Sequence, residues 1–276
     1  SNNMKIYQLY FKPEQVSELD PAFVPYDNTE NLRPDLREWF IWDKEYENCK
    51  NDNLDYWGFV SWKFKEKTGI DGEQFTKFIE ETPGYDLYFI NPCIINEALF
   101  VNSWEQGDIY HPGISEIGNT FFKKVGYEDL DVTSMVLDRS RTMYANYIVG
   151  NANFWDKFME FSRKLFIEAE QDAEFKHKVF GEGLSNYAFD QSLPMFTFLI
   201  ERLIPTFIEL EEIKSIGFNY TPETLPPKYN VYASDLAALS NLKLMINVYS
   251  SDELFRIWNH LRRSFLDRNQ GILGLE

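Results

Sequence analysis

A chain of 276 residues with a formal net charge of −17 can bury a substantial core, and it is too acidic to track a nucleic-acid backbone. Two cysteines and three scattered histidines give neither a disulfide framework nor a zinc spacing, so a reducing compartment fits. No apolar run approaches the ~18 residues of a membrane span and no signal peptide follows Met4, so the expected location is cytoplasmic, free or held at the inner face of the membrane by a partner. Ser1-Asn2-Asn3 is set aside as a cloning remnant.

Lys5 to Phe11 alternates and is β-rich, which predicts a first strand closed by Pro13. Leu19 to Arg33 holds two prolines among Asp and Asn and reads as a long polar loop. Leu36 to Tyr46 is a predicted helix capped by Asp35, and Tyr56 to Trp62 a second strand. A short helix over Gln74 to Glu81 opens at Asp71-Gly72, and a third strand over Leu87 to Ile90 stops at Asn91-Pro92. Short helices and loops fill Ile94 to Gly126, and Met143 to Val149 is a fourth strand. Phe154, Trp155, Phe158, Phe161 and Leu165 recur at helical spacing. Another helix runs from Tyr187 to Leu210 with Pro194 and Pro205 as kinks. Lys214 to Lys228 reads as a Pro-rich loop before two closing helices, one marked by Leu236 to Val248 and one by Leu254 to Phe265. Strands alternating with helices, followed by mostly helices, predict one α/β domain over 4–276, with a core at about 4–150 and a mainly helical part at 151–276.

Aromatic residues make up 17% of the chain. They either fill a Phe- and Tyr-rich core or partly line a sugar site, where rings pack on pyranose C–H groups and a phenol or indole bonds a hydroxyl. Asp129-Leu130-Asp131 is the one Asp-x-Asp, but no apolar strand precedes it, so no metal site is assigned there. Asp55-Tyr56-Trp57-Gly58-Phe59-Val60-Ser61-Trp62-Lys63-Phe64 is an aromatic strand running into cations. Lys63 stands where a compact cation would meet phosphate oxygens.

That strand, with Glu201-Arg202-Leu203 far downstream, resembles the sugar transferases encoded with bacterial capsular and surface polysaccharides. The likeness runs in order over roughly 5–210. Asn31 to Lys44 resembles the helix preceding that strand, and Asn102-Ser103-Trp104-Glu105-Gln106 with His111-Pro112-Gly113 resembles an "Asn-x-x-x-Glu-Gln" segment followed by His. Met143 to Val149 with Phe154 resembles a strand-to-helix step, and Asp190-Gln191 with Phe198 to Leu203 the closing helix. The departure is greatest at Ser61-Trp62-Lys63-Phe64, where family members commonly carry His-Tyr-Arg-Arg.

The resemblance implies a GT-A-like, Rossmann-type fold and transfer of a hexose, in pyranose or furanose form, from a nucleotide sugar to a growing glycan, free or lipid-linked. It needs no cofactor, and Lys63 in a metal's place would make it metal-independent. Lys63, Arg33 and Arg202 would meet phosphate, and Gln8, Asp27 and Asn28 the base or ribose. Glu105 and His111 would handle the acceptor, Glu105 or Asp190 would serve as base in an inverting transfer, and Trp104, Asn146 and Glu201 would bind the acceptor. Each also has a bland reading: Glu105 with His111 as a structural turn, and Glu201 with Arg202 as a buried clamp. A non-catalytic glycan-binding or assembly protein is the alternative function, and a sugar-nucleotide-processing enzyme the third.

Overall fold

A computed structural model describes residues 3–181 and 194–276. In chain order the elements are β1 (Met4–Tyr10), β2 (Val24–Asp27), α1 (Arg37–Asn51), β3 (Tyr56–Ser61), α2 (Phe64–Thr68) and α3 (Gly72–Glu81). They continue with β4 (Leu87–Phe89), α4 (Ile94–Leu99), α5 (Ser103–Tyr110), α6 (Ile114–Lys124), β5 (Ile148–Gly150) and α7 (Ala152–Gln171). The last are α8 (Ala173–Phe180), α9 (Met195–Leu210), β6 (Ser215–Gly217), α10 (Ala233–Tyr249) and α11 (Asp252–Arg268). The fold is α/β: one six-stranded sheet in the order β2-β1-β3-β5-β4-β6, with helices against both faces.

The period of two in the strands sorts side chains between the faces. Trp57 and Phe59 of β3 and Leu87 and Phe89 of β4 join the larger apolar cluster, with Trp39 and Trp42 of α1, Trp155 and Phe158 of α7, and Phe207 of α9. Val60, Tyr88 and Ile90 point the other way, onto Phe64, Phe75 and Ile79 from α2 and α3. A third cluster joins α4 to the α10–α11 hairpin around Trp258. Gly58 is required at the β3–β5 crossing, since a Cβ there would overlap the Ile148 carbonyl.

β1 pairs in parallel with β2 on one side and β3 on the other, and β4 pairs in parallel with β6. β5 alone is antiparallel, between β3 and β4. The chain therefore enters β5 at the edge where β1, β3, β4 and β6 end. In open α/β sheets the carboxyl edge beside a reversal of strand order is where ligands bind, because loops splay apart there.

Several expected boundaries shift. β2 lies inside the expected polar loop, and β6 inside the expected Pro-rich loop, so the part after residue 151 completes the sheet. The fourth strand is only Ile148–Gly150, because residues 143–147 cross the carboxyl edge with Asn146 at φ 57°. Asp35 does not cap α1: Leu36 holds that position without a side-chain bond, and the Asp35 carboxylate takes Arg33 instead. Asp71 does cap α3, reciprocally with Gln74. The expected helix start at Tyr187 falls outside the described residues, and from Met195 onward α9 runs through Pro205. Among the described residues no helix is long and apolar enough to cross a membrane.

Candidate functional site

The carboxyl edge carries a cluster of polar groups. Its floor is the segment entering β5. The Tyr147 hydroxyl lies 2.7 Å from Ser61 Oγ at the end of β3, and the Tyr147 carbonyl accepts the Ile90 N–H beyond β4. Tyr144 and Asn146 precede it, and the Tyr144 hydroxyl and Asn146 Oδ1 are buried without a hydrogen-bond partner among the described residues. A buried polar atom without a partner costs about 1–3 kcal/mol, so two together mark a place where a ligand or water completes the bonding. Asn146 also holds a left-handed backbone, as does Arg37 at φ 49° where α1 begins. Backbone strain of that kind is tolerated where the surroundings enforce it, and it concentrates at ligand sites.

Glu201 of α9 faces this segment. Solvent still reaches its side chain, yet protein encloses the carboxyl on nearly all sides. No described group hydrogen-bonds it. Desolvation raises its pKa to about 7; Arg202, Lys67 and Arg37 oppose the rise and Glu38 adds to it. Pro205, four residues on, has no N–H to offer the Glu201 carbonyl, so the helix is weakened where this side chain leaves it. Burial keeps the phenols of Tyr144 and Tyr147 protonated. Cys93, after β4, lies within electrostatic reach of Glu201, Tyr144 and Lys67, and burial holds its thiol well above the usual range. Lys63 rims the cleft from the start of α2, with Nζ 5.2 Å from the Trp62 ring centre. The set is a carboxyl poised near neutrality, two phenols, a side-chain amide and a cationic rim.

Of the residues singled out from the sequence, Lys63, Asn146 and Glu201 meet at this edge. Asp27 and Asn28 stand at the same edge beyond β2, where Asp27 accepts the Thr29 N–H at 2.9 Å and the Asn28 N–H bonds the Tyr10 carbonyl at 2.9 Å. Asp27 is exposed and Asn28 half-buried, both beside the end of β1. Arg33 is exposed and held by both oxygens of Asp35, at 2.9 and 2.8 Å.

The others are placed differently. Gln8 is 1% exposed; its amide donates to the Ser61 carbonyl and accepts the Asp20 N–H, tying β1 to β3. Trp104 is fully buried, with its indole on Thr206 Oγ1 and its ring against Gly118. Glu105 is gripped by Arg262 of α11 at 2.5 and 3.3 Å and also accepts the Val101 N–H. His111 is buried and stacked on Phe198 at 3.6 Å; burial and the nearby Arg202 lower its pKa to about 3, so it stays neutral at any working pH. Arg202 is buried and donates to the Ser103 and Phe198 carbonyls and to Gln106 Oε1. Gly107 makes room for it, since a Cβ there would overlap the guanidinium. The side chains of Trp104, Glu105 and Arg202 are thus engaged by groups inside the protein, and His111 packs its ring on Phe198. Asp190 and Gln191 lie outside the described residues. Asp131 spends its carboxylate on Thr133 as a cap.

Sequence reasoning did not single out Tyr144, Tyr147, Cys93, Glu38 or Lys67. Tyr144 and Tyr147 were visible inside the Met143–Val149 motif; the other three carry no local signal.

Fold and site together define an α/β protein with a cluster of polar groups at the carboxyl edge of its sheet. No family model matches the chain, and no curated protein matches it. Among solved structures it is similar to the apo structure of WbbM, a bifunctional glycosyltransferase, at 18% identity and a TM-score of 0.48. The match covers 79% of this chain and 44% of that one, so the chain spans less than half the length of that neighbour.

Proposed function

We propose that this chain is a glycosyltransferase that moves a hexose from a nucleoside-diphosphate donor to a glycan of a bacterial surface polysaccharide. The sequence resemblance over 5–210 supports the reading, and the observation that carries it is Glu201: a carboxyl with no hydrogen-bond partner among the described residues and a pKa of about 7, beside Tyr144 and Asn146 at the carboxyl edge. A general base works best when its pKa lies near the operating pH. In the transfer, Glu201 takes the proton of the acceptor hydroxyl as that oxygen bonds the anomeric carbon. The bond from that carbon to the phosphate oxygen breaks, and its electron pair leaves with the nucleoside diphosphate. Lys63, Lys67 and Arg37 offset the charge growing on the leaving group, the part a bound metal would otherwise play. The Tyr144 hydroxyl and the Asn146 amide orient sugar hydroxyls. Asp27 and Asn28 stand where the ribose or base would lie. In this reading Glu201, rather than Glu105, is the base. Metal independence, the bacterial surface glycan and cytoplasmic action are parts of the same proposal.

Thermal unfolding with uridine, guanosine, cytidine and thymidine diphosphates, with and without chelator, tests it. One nucleotide should raise the melting temperature in both conditions, by mass action. Transfer by the protein should then rise with pH through about 7 and vanish in Glu201→Gln. A chelator-sensitive shift would remove metal independence, and silence across the panel would favour a glycan binder without donor chemistry.

A further inference from the structure

A cavity of about 680 Å³ lies at the β4–β6 end of the sheet's carboxyl edge, lined by Phe89 and Asn91 at the end of β4, by β6 with the loop that follows it, and by α10. Its volume falls in the ~300–1,000 Å³ range of small-molecule sites. Tyr220 lines it, with its hydroxyl on the Thr68 carbonyl at 2.6 Å and its ring edge-on against Phe218. The lining is mainly apolar and includes Phe218, Ile216, Leu225, Leu236 and Leu244. Ala233 and Ala237 face it from α10, so the helix offers space there in place of a packed side chain.

The charges around it are unequal. On the inner side, Glu97 and Lys243 are both buried and lie 3.8 Å apart, and Lys243 Nζ also bonds the Glu97 carbonyl, so that pair balances itself. The neighbouring Asp138 is buried, and its carboxylate is held by Ser140 and Asn247. At the mouth stands Arg139, exposed, donating through Nη1 alone to Ser240 Oγ and Asn241 Oδ1. Nε and Nη2 have no hydrogen-bond partner among the described residues. That leaves one guanidinium fork at the entrance of an apolar cavity, in a chain whose net charge is −17. A planar fork of this kind matches a phosphate or carboxylate two bonds at a time.

We propose that this cavity binds an amphiphile, with an apolar body between β6 and α10 and an anionic head on Arg139. The proposal goes beyond glycosyl transfer and does not depend on it, since binding alone is measured. The probe is anilinonaphthalene sulfonate, an aromatic apolar anion, titrated by fluorescence and then displaced with dodecyl phosphate below its micelle concentration, dodecanol or inorganic phosphate. One equivalent should bind, and dodecyl phosphate should displace it at least fivefold better than dodecanol, while inorganic phosphate fails. Arg139→Gln should erase the advantage of the phosphate head and leave dodecanol unchanged. Ala237→Trp should abolish binding by filling the cavity, with Ala233→Phe as the second filling variant if the first does not fold. Binding that survives both filling variants would overturn the site. Equal displacement by dodecanol and dodecyl phosphate, insensitive to Arg139→Gln, would overturn the anionic head.

Discussion

Glu201 and Arg202 are adjacent on one helix and have opposite surroundings. Arg202 points away from the cleft and meets three acceptors from α5 and α9, which satisfy a buried charge. Glu201 points into the cleft and has no described hydrogen-bond partner, so desolvation goes uncompensated and its pKa climbs to about 7. The same contrast separates two regions of the molecule. Around α4, α5, α10 and α11, buried charges come in committed sets: Glu105 with Arg262, and Glu97 with Lys243. Along the carboxyl edge the Tyr144 hydroxyl and Asn146 Oδ1 have no hydrogen-bond partner among the described residues, and the same holds for Glu97 Oε1, Asn96 Oδ1 and Ser103 Oγ in the other region. What sets the edge apart is the Glu201 carboxyl, enclosed by protein with no hydrogen bond from a described residue.

The largest effect should come from breaking a committed charge. Arg202→Met strands three acceptors between α5 and α9 and should cost about 3–5 kcal/mol, the range for breaking a buried ionic network, read as a drop in the urea midpoint. Lys243→Met leaves Glu97 buried without its cation and should cost about 3 kcal/mol, with much of the loss recovered by adding Glu97→Gln. If Arg202→Met unfolds no more easily than the parent, the clamp is not one.

Glu201→Gln should act in the opposite direction. The unfolded carboxyl loses its proton near 4.5, while the folded one keeps it to about 7. Between those values folding is increasingly opposed as pH rises, and above about 7 the penalty is constant. The glutamine variant has no such penalty, so it should match the parent at pH 4 and exceed it at pH 8 by about 2 kcal/mol, after discounting for solvent access. Its transfer rate should fall by about 10²- to 10⁴-fold, the usual contribution of a general base. A variant that is no more stable at pH 8 would show that the carboxyl is solvated and ordinary.

The sequence carried the interior of this fold better than its margins. β1, β3 and β4 are central or well-buried strands, announced by alternation in β1 and by short aromatic, apolar runs in β3 and β4. β2 and β6 are the sheet's two edges, each paired on one side only, and they were read as loops. An edge strand tolerates Pro25 and polar residues because half its backbone bonds face elsewhere, which removes the signal that alternation supplies. The site was legible to a similar degree. Glu201 with Arg202 stood out as charge inside an apolar run, but which of the two would find partners depends on α5, about 100 residues earlier. Glu105 looked catalytic because Arg262, 157 residues downstream, is invisible from its neighbourhood.

Glu105→Gln therefore separates the two regions directly. If the carboxylate is a strut between α5 and α11, the variant loses about 1 kcal/mol, since the pair is partly exposed and the amide keeps one acceptor for the Val101 N–H. Transfer measured at a temperature where both proteins are folded should stay within twofold. If Glu105 were the base, the rate would fall by orders of magnitude and stability would barely move.

Lys63→Gln should give the smallest structural change and a selective kinetic one. The Lys63 side chain meets only the ring of Trp62 and forms no ion pair among the described residues, so its loss should leave the unfolding midpoint within about 0.5 kcal/mol. If its ammonium meets the donor phosphates, the half-saturating donor concentration should rise several-fold. The rise should shrink as salt is added, because the pull of a half-buried surface cation is still screened over about 10 Å at 0.1 M. Lys63→Arg should restore part of the affinity by keeping the charge. A donor dependence that ignores both substitutions and salt would shift the phosphate contact to Lys67 and Arg37, the cations within electrostatic reach of Glu201.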